Sequence, residues 1–151
     1  MRLIAFSWSD RAASAAAREA LAPVPLERVL ALLRARGGVE AVALSTCNRF
    51  ELYAAGVADA PPERRPLLAL LEELAGAELA EHAEIREGAA AVEHLFSVAA
   101  GLDSLVVGET EILGQVKSGY EAAKALGLTG KRLNVLFQRA LFVGKKVRAE
   151  T

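Results

Sequence analysis

Two apolar runs, Val39 to Ser45 and Phe50 to Val57, are separated only by Thr46-Cys47-Asn48-Arg49. A connection that short joins strands as an antiparallel hairpin, because a parallel return needs a crossover of about a dozen residues or more. Asn48 tolerates the left-handed backbone of a tight turn, which places the loop at the surface. The hairpin loop therefore carries Cys47, the single cysteine of the chain.

The flanking segments extend this hairpin into a fold. Leu3 to Ser7 reads as a short buried strand, and Ser9 or Asp10 caps a helix over Arg11 to Leu21. After Pro23 and Pro25, Leu26, Val29, Leu30 and Leu33 recur at helical spacing until Gly37-Gly38 stops the helix. Asp59-Ala60-Pro61-Pro62 is a break. A helix over Pro66 to Leu74, with Leu67, Leu70, Leu71 and Leu74 on one face, and a strand over Ala83 to Glu87 follow. The order strand, helix, strand, strand, helix, strand predicts an α+β fold. Its sheet is the ferredoxin-like split βαβ unit, antiparallel with helices on one face. From Gly88 onward the periodicity is helical, over Ala89 to Ala99, Glu111 to Leu126, and Lys131 to the end. The last helix has a seam of Leu133, Leu136, Phe137, Ala140, Leu141 and Gly144. It shows no C-cap before Thr151 and reads as cut in mid-element.

Composition narrows the function classes. The chain has 151 residues, enough for one domain with a real core, and its 53% apolar content comes largely from alanine with 5% aromatics. Net charge is −1, yet Lys131, Arg132, Arg139, Lys145, Lys146 and Arg148 face only Glu150 after residue 130, so this end suits an anionic partner. The stretch before Ser7 is too short for a signal peptide, and no apolar run spans a bilayer, which predicts a soluble cytoplasmic protein without membrane contact. One cysteine excludes a disulfide framework and a CxxC metal pair. No glycine-rich dinucleotide or phosphate-loop motif occurs, so neither a metal site nor a cofactor site is expected in this chain.

A few residues carry chemistry. A free thiol has an appreciable thiolate fraction near neutrality, which makes Cys47 the candidate nucleophile for a carbonyl. Arg49, two residues on, either supports that thiolate or grips a carboxylate with its planar fork; the plainer reading pairs it across strands with Glu51. His94, on the helix that begins at Ala89, is either a packed side chain or a base brought to Cys47 in space. His82, beside Glu81 and Glu84, reads as solvated. The stretch from Gly101 to Gln115 mixes glycines, hydroxyls and carboxylates between helices, as functional connections do; Glu109 and Glu111 either complement a helix dipole or hold an ammonium group.

Ser45-Thr46-Cys47-Asn48-Arg49 with Glu51-Leu52-Tyr53, then His94-Leu95-Phe96, Gly101-Leu102-Asp103-Ser104, Gly108-Glu109 and Ile112-Leu113-Gly114-Gln115-Val116-Lys117, strongly resemble the glutamyl-tRNA reductases. The resemblance covers nearly the whole chain and makes residues 1–130 the catalytic, glutamyl-binding domain with its helical extension, and 131–151 the start of a long connecting helix. It implies that Cys47 takes the glutamyl group from glutamyl-tRNA as a thioester. NADPH, bound by a domain outside this chain, then reduces the thioester to glutamate-1-semialdehyde for tetrapyrrole synthesis. It places Thr46, Asn48, Arg49, Ser104, Glu109, Thr110, Glu111 and Gln115 around the glutamyl group and makes His94 important for activity. It further implies a homodimer formed through a C-terminal domain and a handover of product to the semialdehyde aminomutase. Near its start the chain departs from the family, with Asp10, Arg11, Ala12 and Ser14 where a His, a basic residue, a hydroxyl and a Pro are common, so no role carries over to that turn. A second reading is a non-catalytic helical interaction module in which Cys47 is incidental.

Overall fold

The computed structural model describes residues 2–9, 15–57, 62–102 and 111–150. β1 (Leu3–Ser9), β2 (Val39–Ser45), β3 (Arg49–Gly56) and β4 (Glu84–Glu87) form one sheet in the order β2-β3-β1-β4, every neighbouring pair antiparallel. That order is the split βαβ arrangement: β1 and β2 are parallel with β3 between them, and β3 and β4 are parallel with β1 between them.

The helices obey the pattern read from the sequence. α2 (Leu26–Arg36) buries Val29, Leu30 and Leu33 and ends at Gly37, whose φ of +70° only glycine adopts without strain. α3 (Arg64–Ala75) starts two residues before Pro66, which is tolerated because the first turn of a helix leaves its N–H groups unpaired anyway. α1 is Ala15–Leu21; Arg11 to Ser14 and the proposed Asp10 cap lie outside the described residues. α4 (Ala89–Ala99), α5 (Ile112–Ala125) and α6 (Lys131–Glu150) complete the chain.

These two sets of helices cover opposite faces of the sheet. α1, α2 and α3 pack on the face where Phe6 stacks on Trp8 and Phe50 tilts against it, and the Trp8 indole N–H donates to Leu79 O at 2.9 Å just beyond α3. α4, α5 and α6 pack on the other face, where the Tyr53 ring meets Phe137 edge-on at 5.6 Å. The sequence pattern accounted for helices on one face only; burial of six consecutive residues of β1, Leu3 to Trp8, requires both faces to be covered.

Close backbone approach fixes the second layer. A Cβ on Gly119 of α5 would lie 2.8 Å from Ala43 O of β2, and one on Gly144 of α6 would lie 2.7 Å from Ala99 O of α4. Glu40 of β2 ties α6 down at its start, accepting from Gly130 N–H at 2.7 Å and Leu133 N–H at 2.9 Å, with Arg132 alongside at 3.8 Å. A buried carboxylate at a helix N-terminus satisfies orphan donors and meets the positive end of the dipole.

Candidate functional site

The turn between β2 and β3 is fastened by one hydroxyl. Thr46 Oγ1 accepts from the backbone N–H groups of Asn48 and Arg49, each at 3.1 Å, and Thr46 N–H donates to Arg49 O at 2.9 Å. The tip of this turn is Cys47, exposed, with Asn48 half-buried beside it. The loop is thus rigid at its base and open at its thiol.

Arg49 is the first residue of β3, opposite Ser9 of β1, and its side chain goes inward. The alternation of the strand then brings Glu51 and Tyr53 to the same face, and register sets Ser7 of β1 opposite Glu51. Arg49 and Glu51 are consequently neighbours along one strand rather than a cross-strand pair. Glu51, 1% exposed, collects four donors. Its Oε2 accepts from Ser7 Oγ at 3.0 Å and Arg49 Nη1 at 3.4 Å, and lies 2.6 Å from His94 Nε2; its Oε1 accepts from Tyr53 Oη at 2.7 Å. His94 comes from α4, whose start is pinned to β1 by Gly88 N–H donating to Leu3 O, and its ring stacks on Tyr53.

Electrostatics follow from this packing. Burial is the largest influence on Glu51 and works to raise its pKa, but the hydrogen bond and charge of His94, with Arg49 and Tyr53, together hold it below the usual 4.5. The carboxylate is therefore ionised and can only accept, so the hydrogen at the 2.6 Å contact belongs to His94 Nε2. Burial, and next the Glu51 charge, push the Tyr53 phenol well above 10, so it remains a donor.

The remaining sequence-based candidates divide. α5 runs opposite to β2, since Gly119 abuts Ala43 while Leu128, beyond its end, accepts from Ala41 N–H. Gln115, one turn before Gly119, thus lies toward the hairpin end of the sheet, and its half-buried side chain keeps Oε1 without a hydrogen-bond partner among the described residues. Glu111, exposed, sits just before α5. Ser104, Glu109 and Thr110 lie outside the described residues. His82 is exposed, as its acidic surroundings suggested. Sequence reasoning had no site role for Ser7, Glu51 or Tyr53; the available signal was polar residues at alternate positions, Arg49, Glu51 and Tyr53, in an otherwise apolar strand.

A family model described as the N-terminal domain of glutamyl-tRNAGlu reductase matches residues 6–151. The chain belongs to this family. A glutamyl-tRNA reductase from Rubrobacter xylanophilus is 49% identical over 157 aligned positions, covering 100% of this chain and 36% of that protein. One from Deinococcus radiodurans is 47% identical over 117 positions, covering 78% of this chain and 32% of that protein. The solved glutamyl-tRNA reductase from Methanopyrus kandleri shares the fold with a TM-score of 0.77 and 35% identity, across 99% of this chain and 35% of that one. The chain spans about a third of the length of the reductases it matches. Among the described residues no helix is long and apolar enough to cross a membrane, and no group of His, Cys, Asp or Glu is arranged to hold a metal ion.

Proposed function

We propose that this chain is the glutamyl-accepting, catalytic part of a glutamyl-tRNA reductase, with Cys47 as the nucleophile. The observation that carries the reading is an exposed thiol at a hairpin tip fastened by Thr46, two residues from Arg49, which together with His94 contacts the buried Glu51 carboxylate. Cys47 Sγ attacks the carbonyl carbon of the glutamyl ester, the Sγ–C bond forms, and the C–O bond to the terminal ribose breaks. The thiol proton leaves in net with the ribose oxygen, so thioester and free tRNA are the products. The γ-carboxylate of the glutamyl group suits the Arg49 fork, and its α-ammonium suits the Gln115 amide oxygen and the carboxylates of Glu109 and Glu111. Thr46, Asn48, Ser104 and Thr110 complete the glutamyl surroundings in this proposal.

The described residues do not suit a nicotinamide dinucleotide. The sheet is antiparallel throughout, and the junction from β4 to α4 offers a single glycine, Gly88, where a pyrophosphate cradle uses several after a parallel strand. We therefore assign NADPH, as reductant of the thioester, to the larger part of the enzyme that the relatives possess. Residues 1–130 then form the catalytic unit and 131–151 the start of a connecting helix. Homodimerisation through a C-terminal domain, delivery of the semialdehyde to its aminomutase and a cytoplasmic setting belong to the same proposal, supported by family membership.

Alkylation tests the site. Iodoacetamide should modify Cys47 in the isolated chain, and glutamyl-tRNA should protect it far better than uncharged tRNA. Equal modification with and without glutamyl-tRNA would favour an interaction module with an incidental cysteine.

A further inference from the structure

Glu51 is nearly inaccessible, so it cannot be a solvent-facing substrate ligand, yet both Arg49 and His94 touch it. An ionised carboxylate in this position is costly to bury, and replacing a buried ionic cluster as a whole by apolar side chains of similar volume is often neutral or stabilising. What apolar side chains would not do is orient two polar groups that arrive from different elements, 43 residues apart in the case of His94. Three donors meet at Oε2 and one at Oε1, which holds the carboxylate from two strands and a helix at once.

We propose that Glu51 is the positioning residue of the site: it locks the Arg49 guanidinium and the His94 imidazole to one oxygen, on the strand that leaves the Cys47 turn. By accepting from Nε2–H it fixes the tautomer of the neutral imidazole, with the hydrogen on Nε2, and the orientation of the ring. Ser7 and Tyr53 support the same carboxylate from β1 and from β3 itself. The proposal rests on the acyl-transfer reading above for its kinetic consequence, but not for the tautomer of His94.

Two measurements test it. Nitrogen NMR on the wild-type chain, with the second histidine removed from the spectrum by His82→Gln, should show His94 protonated at Nε2 and not at Nδ1. Protonation at Nδ1 alone, or at both nitrogens at neutral pH, would overturn the assignment whether or not the chain accepts a glutamyl group. Single-turnover acylation from glutamyl-tRNA by Glu51→Gln should slow by roughly tenfold or more, the scale of a misplaced general base. Its preference for glutamyl- over glutaminyl-tRNA should shrink as well, while iodoacetamide alkylates Cys47 at a rate close to wild type. A folded variant with wild-type acylation rate and selectivity would overturn the positioning role. Absence of any acylation in the wild type would overturn the acyl-transfer reading instead. If Glu51→Gln does not fold, Ser7→Ala, which removes one donor from the same oxygen, is expected to slow acylation several-fold, and an unchanged rate there would count equally against the proposal.

Discussion

The two faces of the sheet are built from alternate residues of the same strands, and they differ in kind. On one, Phe6, Trp8, Phe50 and Leu52 close against α1, α2 and α3, with the Trp8 indole hydrogen bond to Leu79 O as their polar contact among the described residues. On the other, Ser7, Arg49, Glu51 and Tyr53 run under α4 and α6 as a connected polar string ending one residue from Asn48 of the hairpin. These residues are buried on both faces, so exposure does not separate them. The difference teaches that this fold divides its work by strand parity: one side holds the sheet, the other aims side chains toward the Cys47 end.

Substitutions on each face should break that division in different ways. Phe50→Ala, on the apolar side, should cost about 3–5 kcal/mol of stability, measured by denaturant unfolding. A cost under about 1 kcal/mol would mean that this face is not the main support. Arg49→Lys, next in size, keeps the charge but loses the fork, and should remove about 2 kcal/mol of discrimination between glutamyl- and glutaminyl-tRNA in competition assays. Unchanged discrimination with lowered stability would reduce Arg49 to a partner of Glu51.

Acid should act on the polar face through Glu51. Glu51 has a lowered pKa in the folded chain, so its contribution to stability is present above its unfolded value, near 4.5, and is lost as pH falls through the folded value. Thermal melting should therefore drop below that range, and Glu51→Gln should remove this part of the drop. An identical acid profile in the variant would place the pH dependence elsewhere. The smallest effect concerns the basic stripe of α6. Arg132 is already engaged by Glu40 and donates to Val57 O at 3.2 Å, whereas Arg139 and Lys146 are exposed. Neutralising Arg139 and Lys146 together should lower the salt slope of tRNA binding by up to about 2, and an unaltered slope would leave them as a solvated helix face.

Much of this was legible in the sequence, for identifiable reasons. The hairpin, the stop of α2 at Gly37 and the buried seam of α6 follow from local rules of turns, caps and periodicity, and each stands where the pattern put it. β3 begins at Arg49 rather than Phe50, because a charged side chain at a strand end leaves no hydropathy signal while its backbone closes the hairpin against Thr46. The Ser7–Glu51–His94 cluster was not legible, since separations of 44 and 43 residues are bridged only by register and helix packing. The second helical layer was readable as helices but not as a cover for the far side of the sheet, because periodicity reports which face of a helix is buried and not what buries it.

The most direct measurement of the central claim is intact-mass analysis of the chain after mixing with glutamyl-tRNA without NADPH. The account predicts a single glutamyl adduct on wild type, absent in a folded Cys47→Ser variant, with no semialdehyde released when NADPH is then added. An adduct that persists in Cys47→Ser, or a wild-type chain that is fully folded, binds glutamyl-tRNA and gains no mass, would contradict it.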